Sequence, residues 1–275
     1  MLDALVAPRT TIAGLAFDRA HVMGIVNVTP DSFSDGGQGG DPVAAAHAMA
    51  AAGASVIDVG GESTRPRAAA VTLDEEMARV TPVLSGLHGL TVSIDTRKAA
   101  VMAAALDAGA QLVNDVSALT HDPAALGLVA ARGCPVVLMH AQGTPQTMQD
   151  NPVYADVVRD VFDWLEARIA ACAAAGIASA RIIADPGIGF GKTLEHNLAL
   201  LRGIATFHGL GVPLLLGASR KKLIGTLSGD APVGERLGGS IALALHGIAH
   251  GVQIMRVHDV AETVQAVRLA QAVGP

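Results

Sequence analysis

Residues 91–115 read TVSIDTRKAAVMAAALDAGAQLVND, and this stretch decides the fold class. It opens on an apolar, β-branched run ending at Asp95 and closes on a second one ending at Asn114 and Asp115. A polar cluster and then an Ala-rich amphipathic stretch lie between them. Two parallel strands joined by a crossover helix have this pattern. Both runs are continuously apolar and do not alternate with polar residues, as expected of strands covered on both faces.

The same unit recurs in both directions along the chain. We count eight such runs, at 21–27, 55–60, 91–95, 111–115, 135–140, 181–185, 213–218 and 252–258. Helical stretches separate them, and several carry start and stop signals. Asp41-Pro42 reads as an N-cap followed by proline at the first helical position, with Gly53 closing that helix. Thr72 to Glu75 matches a capping box, and Asp122-Pro123 repeats the cap-and-proline signal before a stop near Gly133. Strand and helix alternating eight times predict an α/β fold, a (β/α)8 TIM barrel. An open doubly wound sheet is the main competitor, but the Gly-rich nucleotide fingerprint expected after its first strand is missing. Residues 11–17 alternate in character and are read as a short N-terminal hairpin plugging the bottom of the barrel. No linker divides the chain, so residues 1–275 are expected to form a single domain.

Composition narrows the function classes. About half the residues are apolar (51%) and 3% are aromatic, so Ala, Val, Leu and Ile must build the core. The formal charge is −6 and no basic block occurs, which gives nucleic-acid binding little support. Mean hydropathy is positive, yet no stretch of eighteen apolar residues lacks charges or turn residues, so no membrane association is expected. The N-terminal residues lack a signal-peptide pattern, and Cys134 and Cys172 fit two buried free thiols in a reducing cytoplasm.

Barrel enzymes place their chemistry at the carboxyl ends of the strands. Read in order, those ends here carry Asn27, Glu62 to Arg65, Asp95, Asn114-Asp115, His140, Asp185, Ser219 to Lys221, and Arg256 with His258. Phosphate sites of barrels frequently follow the last two strands, where Arg220, Lys221, Arg256 and His258 cluster as four candidate cations. Ser219 is a candidate cap for a helix whose free N–H groups would favour an anion. A substrate carrying a phosphate or diphosphate is therefore expected. Asp95 and Asp185 remain open between acid/base groups, metal ligands, acceptors for a ligand rich in N–H groups, and caps. The segment from Asp185 to Thr193 is not a P-loop, because only three residues separate Gly187 from Gly191; its glycines are expected to keep the backbone low and aim Asp185 inward. The other histidines, from His21 to His250, are read as structural, and no nucleophile elbow is present.

Two long segments, MGIVNVTPDSFSDGG at 23–37 and DVGGESTRP at 58–66, resemble those of dihydropteroate synthases. Ser93 to Thr96, Val113 to Asp115, Asp185 to Phe190, Ser219 to Lys221 and Arg256 to Asp259 continue the likeness in order. The resemblance implies condensation of 6-hydroxymethyl-7,8-dihydropterin diphosphate with p-aminobenzoate, giving 7,8-dihydropteroate and diphosphate. It implies that Asp95, Asn114, Asp185 and Lys221 hold the pterin, with Met139, Phe190 and Gly217 lining its pocket. Asn27 would contact Mg2+ and the diphosphate, together with Thr64, Arg256 and His258. Phe33, Ser63, Thr64, Arg65, Pro66, Ser219 and Lys222 would surround p-aminobenzoate, and a homodimer through barrel helices is implied, with residues 241–250 as a candidate face. Three positions depart from the family pattern: Lys222 stands where serine is usual, Arg67 where glycine is frequent, and Ala141 where methionine is common. A pterin-binding homologue without catalysis, or a barrel transferring a methyl group from methyltetrahydrofolate, are the alternatives.

Overall fold

The computed structural model of the chain describes residues 11–29, 40–65 and 68–273. Eight parallel strands run β1 (His21–Asn27), β2 (Val56–Gly60), β3 (Val92–Asp95), β4 (Leu112–Asp115), β5 (Val136–Met139), β6 (Ile182–Asp185), β7 (Leu215–Leu216) and β8 (Ile254–Val257). Their hydrogen-bonded order is β6-β5-β4-β3-β2-β1-β8-β7. The ring closes between β6 and β7 through a parallel bridge from Ala184 to Leu214 and an Ala184 N–H donated to the Pro213 carbonyl at 2.9 Å. This is the (β/α)8 barrel that the strand count predicts.

β1 fills its expected run, and each of the other strands lies within its run, trimmed at one or both ends. Two glutamines account for part of the trimming: Gln111 Oε1 accepts from Val92 N at 2.7 Å, and Gln253 Oε1 accepts from Leu214 N at 2.7 Å. β7 shrinks most, because Pro213 has no N–H to donate and the Leu214 N–H is taken by a side chain.

Helices follow the strands: α1 (Pro42–Ala52), α2 (Leu73–Ser85), α3 (Ala99–Asp107), α4 (Ala125–Arg132), α5 (Val157–Ala174), α6 (Leu194–Arg202), α7 (Lys222–Leu227), α8 (Leu237–Ala249) and α9 (Val260–Val273). Asp41 caps α1 by accepting from Val43 N at 2.9 Å, and Gly53 ends it with φ 110°. At α2 only half of the expected box forms. Thr72 accepts from Glu75 N, whereas the Glu75 carboxylate turns to Arg79. A complete box occurs instead at α6, where Thr193 pairs with His196. Asp122 serves two helices, taking Ala124 N with one oxygen and Ala99 N at the start of α3 with the other.

Period-two alternation divides the core. Val22, Val26, Ile57, Val59, Ile94 and Leu138 face the helices and join a large cluster with residues such as Val80, Val161 and Phe207. The lower barrel interior is filled by Met23, Val56, Leu112, Val137, Ile183, Leu215 and Ile254, sealed from below by Ile12 and Leu15. Those two residues form the expected hairpin, narrowed to a single antiparallel bridge from Ile12 to Leu15. Its two turn residues, Ala13 and Gly14, have φ 49° and 79°, as a tight primed turn demands. Two residues further along, the inward positions of β2, β4, β6 and β8 become polar, at Asp58, Asn114, Asp185 and Arg256, and the apolar plug lies below them.

Candidate active site

The cavity floor is a network on four strands. Asp58 on β2 accepts from Arg256 Nε on β8 at 2.6 Å and from Asn114 Nδ2 on β4 at 2.9 Å. Arg256 Nη2 reaches Asp95 Oδ2 on β3 at 2.7 Å. The strand register brings this about: Gly60 pairs with Asp95, and Asp95 with Asn114. A Cβ at Gly60 would stand 3.3 Å from Asp95 Cβ, so the glycine makes room for the carboxylate. Burial pushes the Asp95 carboxyl up to about 7, with Arg256 pulling down and the neighbouring Asp58, Asp115 and Glu76 pushing the same way as burial. The Arg256 side chain keeps 20% exposure, and Nη1 has no acceptor among the described residues. It can still offer donors to an anion above the floor.

The loop after β6 builds one wall. Gly187, Gly189 and Gly191 have φ 70°, 84° and 63°, in the left-handed region. Gly187 N donates to Asp185 Oδ1 at 2.7 Å and orients that carboxylate, whose pKa is raised by burial against the pull of Gly187 N–H and Lys221. Lys192 anchors the loop from behind. Its buried ammonium meets His140 Nδ1 at 2.9 Å, the Phe190 carbonyl at 3.0 Å and the His140 carbonyl at 3.3 Å. Burial lowers Lys192 to about 7 and His140 to about 3, so the imidazole is neutral and accepts through Nδ1. Lys221 Nζ lies 3.9 Å from the centroid of the Phe190 ring, a cation–π contact. Burial lowers Lys221 to about 8 although Asp185 pulls it back up. Met139 pairs in register with Asp185, and a Cβ at Gly217 would come within 3.8 Å of the Asp185 carboxylate. Met139 and Phe190 also border a side cavity of about 80 Å³ that reaches Ala141 and Trp164.

The expected four cations divide. Arg220 is spent on Asp259 through two contacts. His258 is lowered to about 3 by burial, with Arg256 and Arg220 adding to it, and is a neutral imidazole. Ser219 does not cap a helix, because α7 begins at Lys222; its hydroxyl instead meets His258 Nδ1 at 3.0 Å and accepts from His258 N at 3.2 Å. Lys221 and Arg256 remain as the positive groups at the cavity. Lys222 is exposed on the first turn of α7.

Opposite lies the loop after β2. Glu62 does not enter the cavity: it accepts from Arg97 and Lys98, each at 2.9 Å, and pins the loop to the start of α3. Ser63 and Thr64 are half-buried and Arg65 is exposed, yet Arg65 is near enough to lower both Lys221 and His258. Asn27 is the half-buried last residue of β1, paired in register with Gly60. Phe33, Pro66 and Arg67 lie outside the described residues.

Hydrogen bonds and charge coupling thus bring Asp95, Asn114, Asp185, Lys221 and Arg256 together at the carboxyl end of the barrel, with Met139, Phe190 and Gly217 beside Asp185 and Lys221, and Ser219 joined to His258 next to Arg256. Two residues escaped the sequence reading. Asp58 lies two positions before Gly60 on the inward face, a signal that period-two counting offers. Lys192 carried none beyond its place in the glycine loop.

A barrel whose mouth holds acceptors for a flat N–H-rich ring beside a guanidinium and an ammonium defines a class, the pterin-binding enzymes, and the family model described as "Pterin binding enzyme" matches residues 23–258. The dihydropteroate synthase of Escherichia coli K12 is 48% identical over 264 residues, 94% of this chain and 93% of that one. The Yersinia pestis dihydropteroate synthase solved with a sulfonamide drug superposes with TM-score 0.90 at 46% identity, over 94% and 96% of the two chains. The Xanthomonas albilineans enzyme solved with 4-aminobenzoic acid gives 0.88 at 48%, over 98% of each. The chain belongs to the dihydropteroate synthase family.

Proposed function

We propose that this chain condenses 6-hydroxymethyl-7,8-dihydropterin diphosphate with p-aminobenzoate, releasing 7,8-dihydropteroate and diphosphate. The observation that carries the reading is the set of buried acceptors Asp95, Asn114 and Asp185 gathered with the cations Arg256 and Lys221. A dihydropterin presents amino and ring N–H donors along one edge, and buried carboxylates and an amide oxygen match them. Met139, Phe190 and Gly217 line the flat faces of that slot, and Lys221 donates to the ring.

The bond from the pterin methylene to the diphosphate oxygen breaks, and the electron-rich ring stabilises the resulting cation. Arg256, Thr64 and His258 then hold the departing oxygens, an electrostatic contribution that grows as their charge grows. With the Ser219 hydrogen donated to Nδ1, the proton of the neutral His258 ring sits on Nε2 and serves as a donor to the leaving oxygens. The arylamine nitrogen attacks the methylene, and the proton it loses passes to the departed diphosphate or to water. The arylamine is uncharged at neutral pH, so no side-chain nucleophile is needed. Ser63, Thr64, Arg65, Ser219 and Lys222, with Phe33 and Pro66, would surround p-aminobenzoate; Arg65 and Lys222 are the cations for its carboxylate.

Mg2+ fits the donor set. Among the described residues no three His, Cys, Asp or Glu side chains gather as a protein cage. Mg2+ is commonly held by one or two protein oxygens together with substrate phosphates and water. Asn27, half-buried at the end of β1, would offer its amide oxygen for that purpose. The bound ion would spread the negative charge of the leaving diphosphate.

We read residues 1–275 as one pterin-binding domain that works in the cytoplasm; the two buried free thiols suit a reducing compartment. No helix among the described residues is long and apolar enough to cross a membrane. A homodimer through residues 241–250 remains the assembly that the resemblance implies; the exposed apolar Val233 before α8 and Leu237 at its start extend that face. The decisive experiment is diphosphate release by the purified chain, with and without p-aminobenzoate and Mg2+. Release that requires p-aminobenzoate is expected; pterin binding with no release in its presence would overturn the catalytic reading.

A further inference from the structure

Asp58 is fully buried at the centre of the floor, yet no substrate role falls to it. Its Oδ2 accepts two hydrogen bonds, and its Oδ1 is buried with no partner among the described residues. An orphaned buried oxygen costs about 1–3 kcal/mol, and replacing a buried ion pair with apolar side chains is often neutral or stabilising. Stability alone therefore gives no reason for a carboxylate here. Its partners do: Asn114 stands 56 residues away and Arg256 198 residues away, on different strands.

We propose that Asp58 is a positioning residue of the pterin site, orienting the Asn114 amide and the Arg256 guanidinium from below; the proposal rests on the pterin-binding reading above. An asparagine amide has an acceptor end and a donor end, and neighbours decide which way it points. A carboxylate paired with a guanidinium accepts and does not donate, so it takes the Asn114 N–H. The Asn114 carbonyl oxygen is thereby left for the cavity, where a ligand rich in N–H groups needs an acceptor. Asp58 also takes Arg256 Nε while Asp95 takes Nη2, so one edge of the guanidinium is held down and Nη1 is left for the anion. In chemical terms, Asp58 sets the donor and acceptor polarity of a site it never touches.

The test uses the full chain and the reactive pterin substrate without p-aminobenzoate, its binding followed by calorimetry. Asp58→Ala is expected to raise the dissociation constant of dihydropterin diphosphate at least about tenfold, while the KM of p-aminobenzoate at saturating pterin shifts less than about threefold. Asp58→Asn, which can place an amide oxygen at the Oδ2 position, should recover much of that loss. If Asp58→Ala does not fold, Asp58→Leu, which removes the acceptor and fills its space, supplies the second arm, with the same selective loss of pterin affinity expected. Unchanged pterin affinity in Asp58→Ala or Asp58→Leu, equal losses for both substrates, or no recovery in Asp58→Asn would each overturn the proposal. Failure of the unaltered chain to bind the pterin diphosphate would instead overturn the functional reading.

Discussion

Replacing Gly187 with alanine should damage both stability and pterin binding. The new Cβ would stand 1.9 Å from the His140 carbonyl oxygen, a main-chain atom that cannot swing aside, and Gly187 has φ 70°. Left-handed backbone with a Cβ costs about 1–2 kcal/mol, and overpacking about 1–3 kcal/mol, so the loss should reach about 2–5 kcal/mol. Gly89 separates the two effects: it has φ 84° with nothing within 4 Å of an added Cβ, so Gly89→Ala should show the backbone cost alone. The collision also falls on the junction of β5 and β6, where His140 N donates to the Asp185 carbonyl at 3.0 Å and Gly187 N orients the Asp185 carboxylate. Denaturant titration of both variants, with calorimetry of pterin diphosphate binding, measures each consequence. Equal stability losses in Gly187→Ala and Gly89→Ala, with pterin affinity intact, would refute the reasoning.

Asp185→Asn places an amide that can turn donors against the donors of the ring, so pterin affinity should fall about tenfold or more by calorimetry, the scale of a charged hydrogen bond replaced by an unmatched one. Arg256→Ala leaves Asp58 and Asp95 buried without their cation, and urea titration should show a loss of about 3–5 kcal/mol together with weaker diphosphate affinity. Arg256→Lys should recover little, because a point charge cannot bridge two carboxylates as a planar fork does. Asp95 stands at about 7 instead of 3.8, so pterin affinity should weaken as pH falls through about 7, and Asp95→Asn should remove that dependence. The same shift has the opposite sign for the free protein: the folded state holds the proton more tightly than the unfolded one. Its contribution to stability is complete below 3.8 and is lost as pH rises through about 7, which melting curves across that window will report.

Much of the architecture is legible in the residues themselves. A strand covered on both faces must be apolar throughout, and a helix between two such strands must carry one apolar stripe, so eight repeats of that pattern identify a barrel and mark where its rim begins. Asp41 and Gly53 bound α1 because capping depends on neighbours one to four residues away, which a linear reading can see. The capping box read at Thr72 failed halfway for a reason equally local but competitive: Arg79, one turn along, claims the Glu75 carboxylate.

What the chain order hides is which charged groups meet once the ring closes. Arg220 and Arg256 look alike as basic residues after the last two strands. Asp259 neutralises the one, and the other is drawn down between Asp58 and Asp95. His258 reads as a candidate cation, yet burial beside Arg256 makes it neutral. The apolar pattern is a property of each segment and is written in its sequence. Ion pairing, amide orientation and protonation depend on distances and desolvation between residues 56 to 198 positions apart, and only the closed barrel decides those.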